Sequence, residues 1–148
     1  MPNWSRNLVE FTGERVIPGQ VNADLWSEHL ARYAFARRYT RGKKVLDAGC
    51  GTGYGSAELA QEAGSVTGID LSSEALDYAR ANYPLANVRL AAGSCIRLPF
   101  CSASFDVVVA FEVIEHLEDP ATFIAECARV LQPEGLFIVS TPNKRYYA

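Results

Sequence analysis

The sequence predicts an α/β fold, a mostly parallel five-stranded sheet with helices on both faces. Three observations lead there. Apolar runs of strand length recur along the chain, each separated from the next by a short loop and, in most cases, a segment of helical periodicity. Element boundaries carry their own signals, such as Asp119-Pro120 at one helix start and Pro84 at another helix end. The first strand-like run also passes directly into a turn holding Gly49, Gly51, Gly53 and Gly55. A plain turn needs far less backbone freedom than four glycines at alternating positions provide.

Residues 1 to about 20 read as an irregular lead-in, with two glycines and a proline in "FTGERVIPG". From Asp24 to Tyr39 the pattern is helical, with Leu25, Leu30, Tyr33, Ala34 and Phe35 apolar and Arg32, Arg37 and Arg38 polar. "RGKK" breaks that helix before "KVLDAG", a short buried strand. A helix over about Tyr54 to Ala63 follows the glycines and stops at Gly64. "SVTGID" is the second strand, and "SSEALDYARANY" is a helix capped by Ser72 or Ser73 and ended by Pro84. "NVRLAAGS" and "SFDVVVAFEV" are the third and fourth strands. "DPATFIAECARVLQP" is a helix that Pro133 and Gly135 halt, and "GLFIVSTP" is the fifth strand. The expected division is a lead-in and lid helix over 1–40 and a ligand-binding domain over 41–148.

Bulk properties narrow the function classes. A chain of 148 residues, 49% hydrophobic and 21% charged, is ordinary for one soluble domain with a real core. A net charge of -3 does not suggest a broad surface for nucleic acid. No apolar run reaches the roughly 20 residues needed to span a bilayer, and "MPNWSRNLVE" lacks a signal-peptide core. Cys50, Cys95, Cys101 and Cys127 have no CxxC pair and fit reduced thiols in a cytoplasmic protein.

Parallel sheets bind ligands beyond the carboxyl ends of their strands, where the strand order reverses. The glycine turn, Asp70, Gly93-Ser94 and Phe111-Glu112 all follow strand ends, so they should meet in one crevice. A ligand-free tight turn explains the glycines poorly. The dinucleotide fingerprint G-x-G-x-x-G fails in both frames, because Tyr54 or Ser56 stands where its third glycine belongs. GxxxxGK[ST] is absent as well. A nucleoside ligand without a pyrophosphate remains. Asp70, ending the second strand, is placed to accept from ribose hydroxyls, and capping the helix after it is its other reading.

Together, "VLDAGCGTGYGS", "VTGIDLS", "AAGSCIRLPF" and "SFDVVVAFEVIEHLEDP" resemble the successive motifs of class I S-adenosylmethionine-dependent methyltransferases, type-11 subgroup. The resemblance covers about residues 40 to 142 and implies a three-layer Rossmann-like fold with S-adenosylmethionine as cofactor. It implies that Asp47, Gly49, Gly51 and Gly53 border the methionine portion, with Cys50 among the cofactor-binding residues. It gives Asp70 the ribose, Leu71 the adenine face and Cys95 a backbone contact, with Ile96 and Phe111 completing the pocket. Members commonly carry Gly-Asp where this chain has Gly93-Ser94. Ser94, neutral and shorter, should hold the adenine amino group more weakly.

"FEVIEHL" brings Glu112, Glu115 and His116 to i, i+3 and i+4. The spacing resembles the metal motif of small-RNA 2′-O-methyltransferases and of some quinone-pathway O-methyltransferases. The expected role is the metal-free one, with Glu112 ordering the cofactor pocket and His116 serving as general base, the two being the expected catalytic residues. On the first helix, Trp26, His29 and Tyr33 share a face that either packs on the sheet or looks into the crevice. Arg15, Arg32, Arg37 and Arg38 either hold an anionic acceptor or are solvated helix charges.

The resembled fold has seven strands in the order 3-2-1-4-5-7-6, and five are read here. The expectation is therefore a shortened chain or a homodimer formed edge to edge through "LFIVST". The expected reaction is methyl transfer to a small-molecule acceptor. A non-catalytic module or inactive fragment that binds S-adenosylmethionine or S-adenosylhomocysteine is the alternative. A nicotinamide-dependent oxidoreductase is disfavoured by Tyr54 and Ser56.

Overall fold

Lys44–Ala48 (β1) is buried along all but its first residue, as a central parallel strand requires. The computed structural model describes residues 23–143, so the lead-in and Arg15 lie outside the described residues. Before β1 comes α1 (Ala23–Arg37), and after it α2 (Tyr54–Ala60), β2 (Ser65–Asp70), α3 (Ser73–Asn82) and β3 (Val88–Ala92). Then come β4 (Phe105–Phe111), a single 3₁₀ turn at Ile114–His116, α4 (Pro120–Val130) and β5 (Leu131–Ser140). The five strands form one sheet in the order β3-β2-β1-β4-β5, and every pairing is parallel. The order reverses between β1 and β4, and a crevice opens beyond their carboxyl ends.

Side-chain alternation along the strands divides the core into two layers. Val45, Val107, Val109 and Phe111 pack with Tyr33 and Ala36 of α1 and Leu59 of α2. Leu46, Ala48, Val108 and Ala110 pack on the opposite face with Phe123, Cys127 and Val130 of α4. Asp47 shares the parity of Val45 and so points toward α1.

Three boundaries differ from expectation. α1 stops at Arg37, where Tyr39 and Thr40 amides bond back to Ala36 and Arg37 carbonyls in a closing turn. α2 stops at Ala60, and the Gly64 amide instead donates to the Lys43 carbonyl. β5 begins at Leu131 rather than beside Gly135, because α4 ends at Val130 and Leu131 pairs at once with Phe105. The next paired residues are Val107 and Leu136, so "QPEG" is an insertion within the strand that Glu134 accommodates at φ 66°. The caps agree with the sequence: Ser72 accepts from the Ala75 amide, and Asp119 accepts from the Thr122 amide.

Candidate functional site

The glycine turn runs from the end of β1 into α2 and forms the floor of a cleft of about 400 Å³. The Gly49 and Cys50 amides donate to the Ile69 carbonyl at 2.8 and 3.0 Å, tying the turn to the end of β2. The Gly51 amide donates to Asp70 Oδ2 at 2.9 Å, and the Ser72 amide to Asp70 Oδ1 at 2.9 Å. Gly51 has φ +55°, and a Cβ there would meet nothing within 4 Å. Its conformation favours glycine, while the space above it is open to a ligand. Gly53 is different, since a Cβ would come within 2.6 Å of Ala79 Cβ on α3.

Asp47 lies beneath this turn, fully buried. Its Oδ2 accepts from Ser56 Oγ at 2.7 Å, and its Oδ1 from the Tyr33 hydroxyl at 3.1 Å. Burial pushes its carboxyl up to about 7; the Ser56 and Tyr33 hydrogen bonds oppose the rise, and the Asp70 charge adds to it. The Tyr33 ring meets Phe111 and Tyr54 edge-on at centroid distances of 4.9 and 5.6 Å. Trp26 lies against Tyr54 at 4.9 Å.

On one side of the cleft stand Asp70, Leu71, Ser94, Cys95 and Ile96. Leu71 is 76% and Ile96 41% exposed, so both present apolar surface at the cleft. Ser94 Oγ accepts from the Ile96 amide at 3.2 Å, a local turn bond. Burial pushes the Cys95 thiol up to about 11, so it stays protonated at neutral pH.

His29, Glu112 and His116 occupy the opposite side. Glu112 ends β4 with φ 56°, strained for a residue other than glycine, and its amide donates to the Ser140 carbonyl at 3.0 Å. Glu112 Oε1 pairs with Arg32 of α1 at 2.9 Å, while Oε2 is buried with no hydrogen-bond partner among the described residues. Burial raises the Glu112 pKa, Arg32 opposes the rise, and the neighbouring Glu115 carboxyl adds to it. Glu115 accepts from the Thr141 hydroxyl at 3.2 Å and lies 3.6 Å from His116 Nε2. Burial lowers the His29 pKa, and the Arg32 charge lowers it further. Among the described residues, no group of three or more His, Cys, Asp or Glu side chains is arranged to hold a metal ion.

Of the residues singled out from sequence, Gly49, Cys50, Gly51, Asp70, Leu71, Ser94, Cys95, Phe111, Glu112 and His116 all line this cleft. Asp47 and Gly53 do not; they sit behind its wall, one under the turn and one against α3. The sequence reading missed the Arg32–Glu112 ion pair and the use of Thr52 and Tyr54 as lining. The signal for Arg32 was its position between His29 and Tyr33 on one helix face.

A family profile described as "Methyltransferase domain" matches residues 46–139. The chain is 46% identical over 139 residues to a Mycolicibacterium smegmatis protein named "Probable S-adenosylmethionine-dependent methyltransferase", covering 93% of this chain and 53% of that one. It is 40% identical over 109 residues to a ubiquinone biosynthesis O-methyltransferase of Neisseria meningitidis, with 70% of this chain and 46% of that one covered. Among solved structures, the PH0226 protein of Pyrococcus horikoshii OT3 matches with a TM-score of 0.74 at 30% identity, over 84% of this chain and 61% of that one. The chain spans about half the length of the curated relatives it matches.

Proposed function

The chain belongs to the methyltransferase-domain family, and from that premise we propose that it binds S-adenosylmethionine in the cleft and transfers its methyl group to a small-molecule acceptor. The observation that carries this reading is the cleft's division into an apolar, a polar and a backbone-lined part. Leu71 and Ile96 are exposed where a flat base would cover them, Asp70 lies next to them with oxygens for a sugar, and Gly51 leaves room above the turn. These residues fit a nucleoside carrying an amino-acid arm.

Bound there, S-adenosylmethionine supplies a methyl group already activated as a sulfonium. The chain's residues then act by placement, which can contribute on the order of 7–11 kcal/mol. Asp70 would accept from ribose hydroxyls while keeping the Gly51 and Ser72 amides. Glu112 would order the opposite wall through Arg32. For an acceptor hydroxyl, His116 would take the proton as the oxygen gains carbon, leaving a neutral thioether and passing the proton to solvent. The ubiquinone relative is named as an O-methyltransferase, which supports oxygen as the acceptor atom.

The remaining assignments have narrower support. Residues 41–148 would be the cofactor domain and 1–40 its lead-in and lid, since α1 forms one side of the cleft. β5 is an edge strand with Leu136 and Val139 exposed, which supports pairing with a second copy. Four unpaired cysteines support a cytoplasmic setting. Among the described residues, no helix is long and apolar enough to cross a membrane.

Isothermal titration with S-adenosylhomocysteine and NADH tests the cofactor. S-adenosylhomocysteine should bind at one site per chain and NADH should not; the reverse refutes the reading. Turnover with labelled S-adenosylmethionine across phenol, alcohol and amine acceptors tests the reaction, and binding without any labelled product would leave a non-catalytic module.

A further inference from the structure

The hydroxyl of Tyr33 has one hydrogen bond to give, and it goes to the fully buried carboxylate of Asp47 at 3.1 Å. Asp47 in turn accepts from Ser56 on α2 at 2.7 Å. One buried carboxylate thus joins α1, the end of β1 and the start of α2, directly under the turn that runs from Gly49 to Gly53. Packing alone does not require the hydroxyl, because a phenylalanine would make the same ring contacts with Phe111 and Tyr54. Gly55 has been cleared for this ring, since a Cβ at that position would lie 2.1 Å from Tyr33 Cζ. The fourth glycine of the turn therefore serves Tyr33, and the ligand gains from it only indirectly.

We propose that Tyr33 is a positioning residue for the cofactor: acting through Asp47, it fixes the glycine turn in its ligand-binding shape, so that α1 is a working part of the site. This rests on the cofactor reading given above. The groups facing Asp47 are Tyr33 from α1, Cys50 from the turn, Tyr54 and Ser56 from α2, and Asp70 from β2. None of these is a cation. An ammonium group on the ligand's amino-acid arm would bring a positive charge that none of these described groups supplies. Binding should therefore favour ionised Asp47, and affinity should rise with pH as Asp47, pushed up to about 7 in the free protein, loses its proton.

The test is calorimetric binding of S-adenosylhomocysteine from pH 5.5 to 8.5, on the wild-type chain, Tyr33→Phe, Asp47→Asn and the double variant, with thermal unfolding to confirm that each is folded. Tyr33→Phe should weaken binding about fivefold at neutral pH, the effect of one lost hydrogen bond. It should also move the pH midpoint upward, because the carboxylate loses a donor that favours its charged form. Asp47→Asn should abolish that step, and in its background Tyr33→Phe should add less than twofold. If wild type binds while Tyr33→Phe keeps both affinity and midpoint, or if the two substitutions multiply independently, the positioning role is refuted and the cofactor reading stands. Absence of binding by wild type overturns both. A Tyr33→Phe chain that fails to fold is replaced by Ser56→Ala, which removes the other donor and should shift the midpoint in the same direction; an unmoved midpoint there likewise counts against the proposal.

Discussion

Tyr33 of α1 and Asp47 of β1 form a buried hydrogen bond of 3.1 Å that links the first helix to the strand under the glycine turn. The pH dependence of stability follows from that carboxylate. Folded Asp47 holds its proton up to about pH 7, whereas the unfolded chain releases it near 4. Between those values the folded state binds more protons, so this residue's contribution to stability falls as pH rises. Asp47→Asn should flatten that part of the profile. Urea unfolding of both chains at pH 5 and pH 8 measures it, and identical profiles would contradict the assignment.

Gly55→Ala should destabilise the protein even though alanine is the better helix former by about 1 kcal/mol. The new Cβ would meet the Tyr33 ring, which Phe111 and Tyr54 hold on either side. A loss of about 1–3 kcal/mol in chemical denaturation is expected from this overpacking. A gain in stability would show that the ring yields freely.

Asp70→Ala should weaken S-adenosylhomocysteine binding by about 1–3 kcal/mol, since a carboxylate acceptor beside the cleft is lost. The same change frees the Gly51 and Ser72 amides. Asp70→Asn, which keeps one acceptor oxygen, should fall between the two in titration calorimetry. Unchanged affinity in both variants would remove Asp70 from the site.

The Arg32–Glu112 pair should couple by about 1 kcal/mol in a double-mutant cycle of Arg32→Met and Glu112→Gln. Both side chains are partly shielded from water, so screening weakens the pair without abolishing it. Arg32→Met alone should raise the Glu112 pKa further, because burial then acts on that carboxyl without its cation. Carboxyl titration followed by NMR reads this directly, and a fall in the Glu112 value would be the wrong sign.

The strands were legible in the sequence because a strand buried on both faces is written as an unbroken apolar run, as in Val107–Ala110. The start of β5 was hidden by Pro133 and Gly135, whose residue types signal a helix end as readily as the strand insertion in which they lie. The cleft was legible because strand ends in a parallel sheet must converge. The separate duties of the glycines were not. Gly53 is required by Ala79 and Gly55 by Tyr33, and neither neighbour is visible from within the motif. The Arg32–Glu112 pair joins the first helix to the end of the fourth strand, a proximity that only the completed fold creates.

The seat of α1 is assembled from distant parts of the chain: Asp47 follows it closely, while Phe111 and Glu112 come only at the end of the fourth strand. During synthesis from the amino end, this helix emerges early, before Phe111 and Glu112 have been made. Its contacts with those two residues can form only once translation has passed Glu112. Its locking into place is therefore a late event in maturation, and a ribosome stalled before that codon should display α1 open to protease.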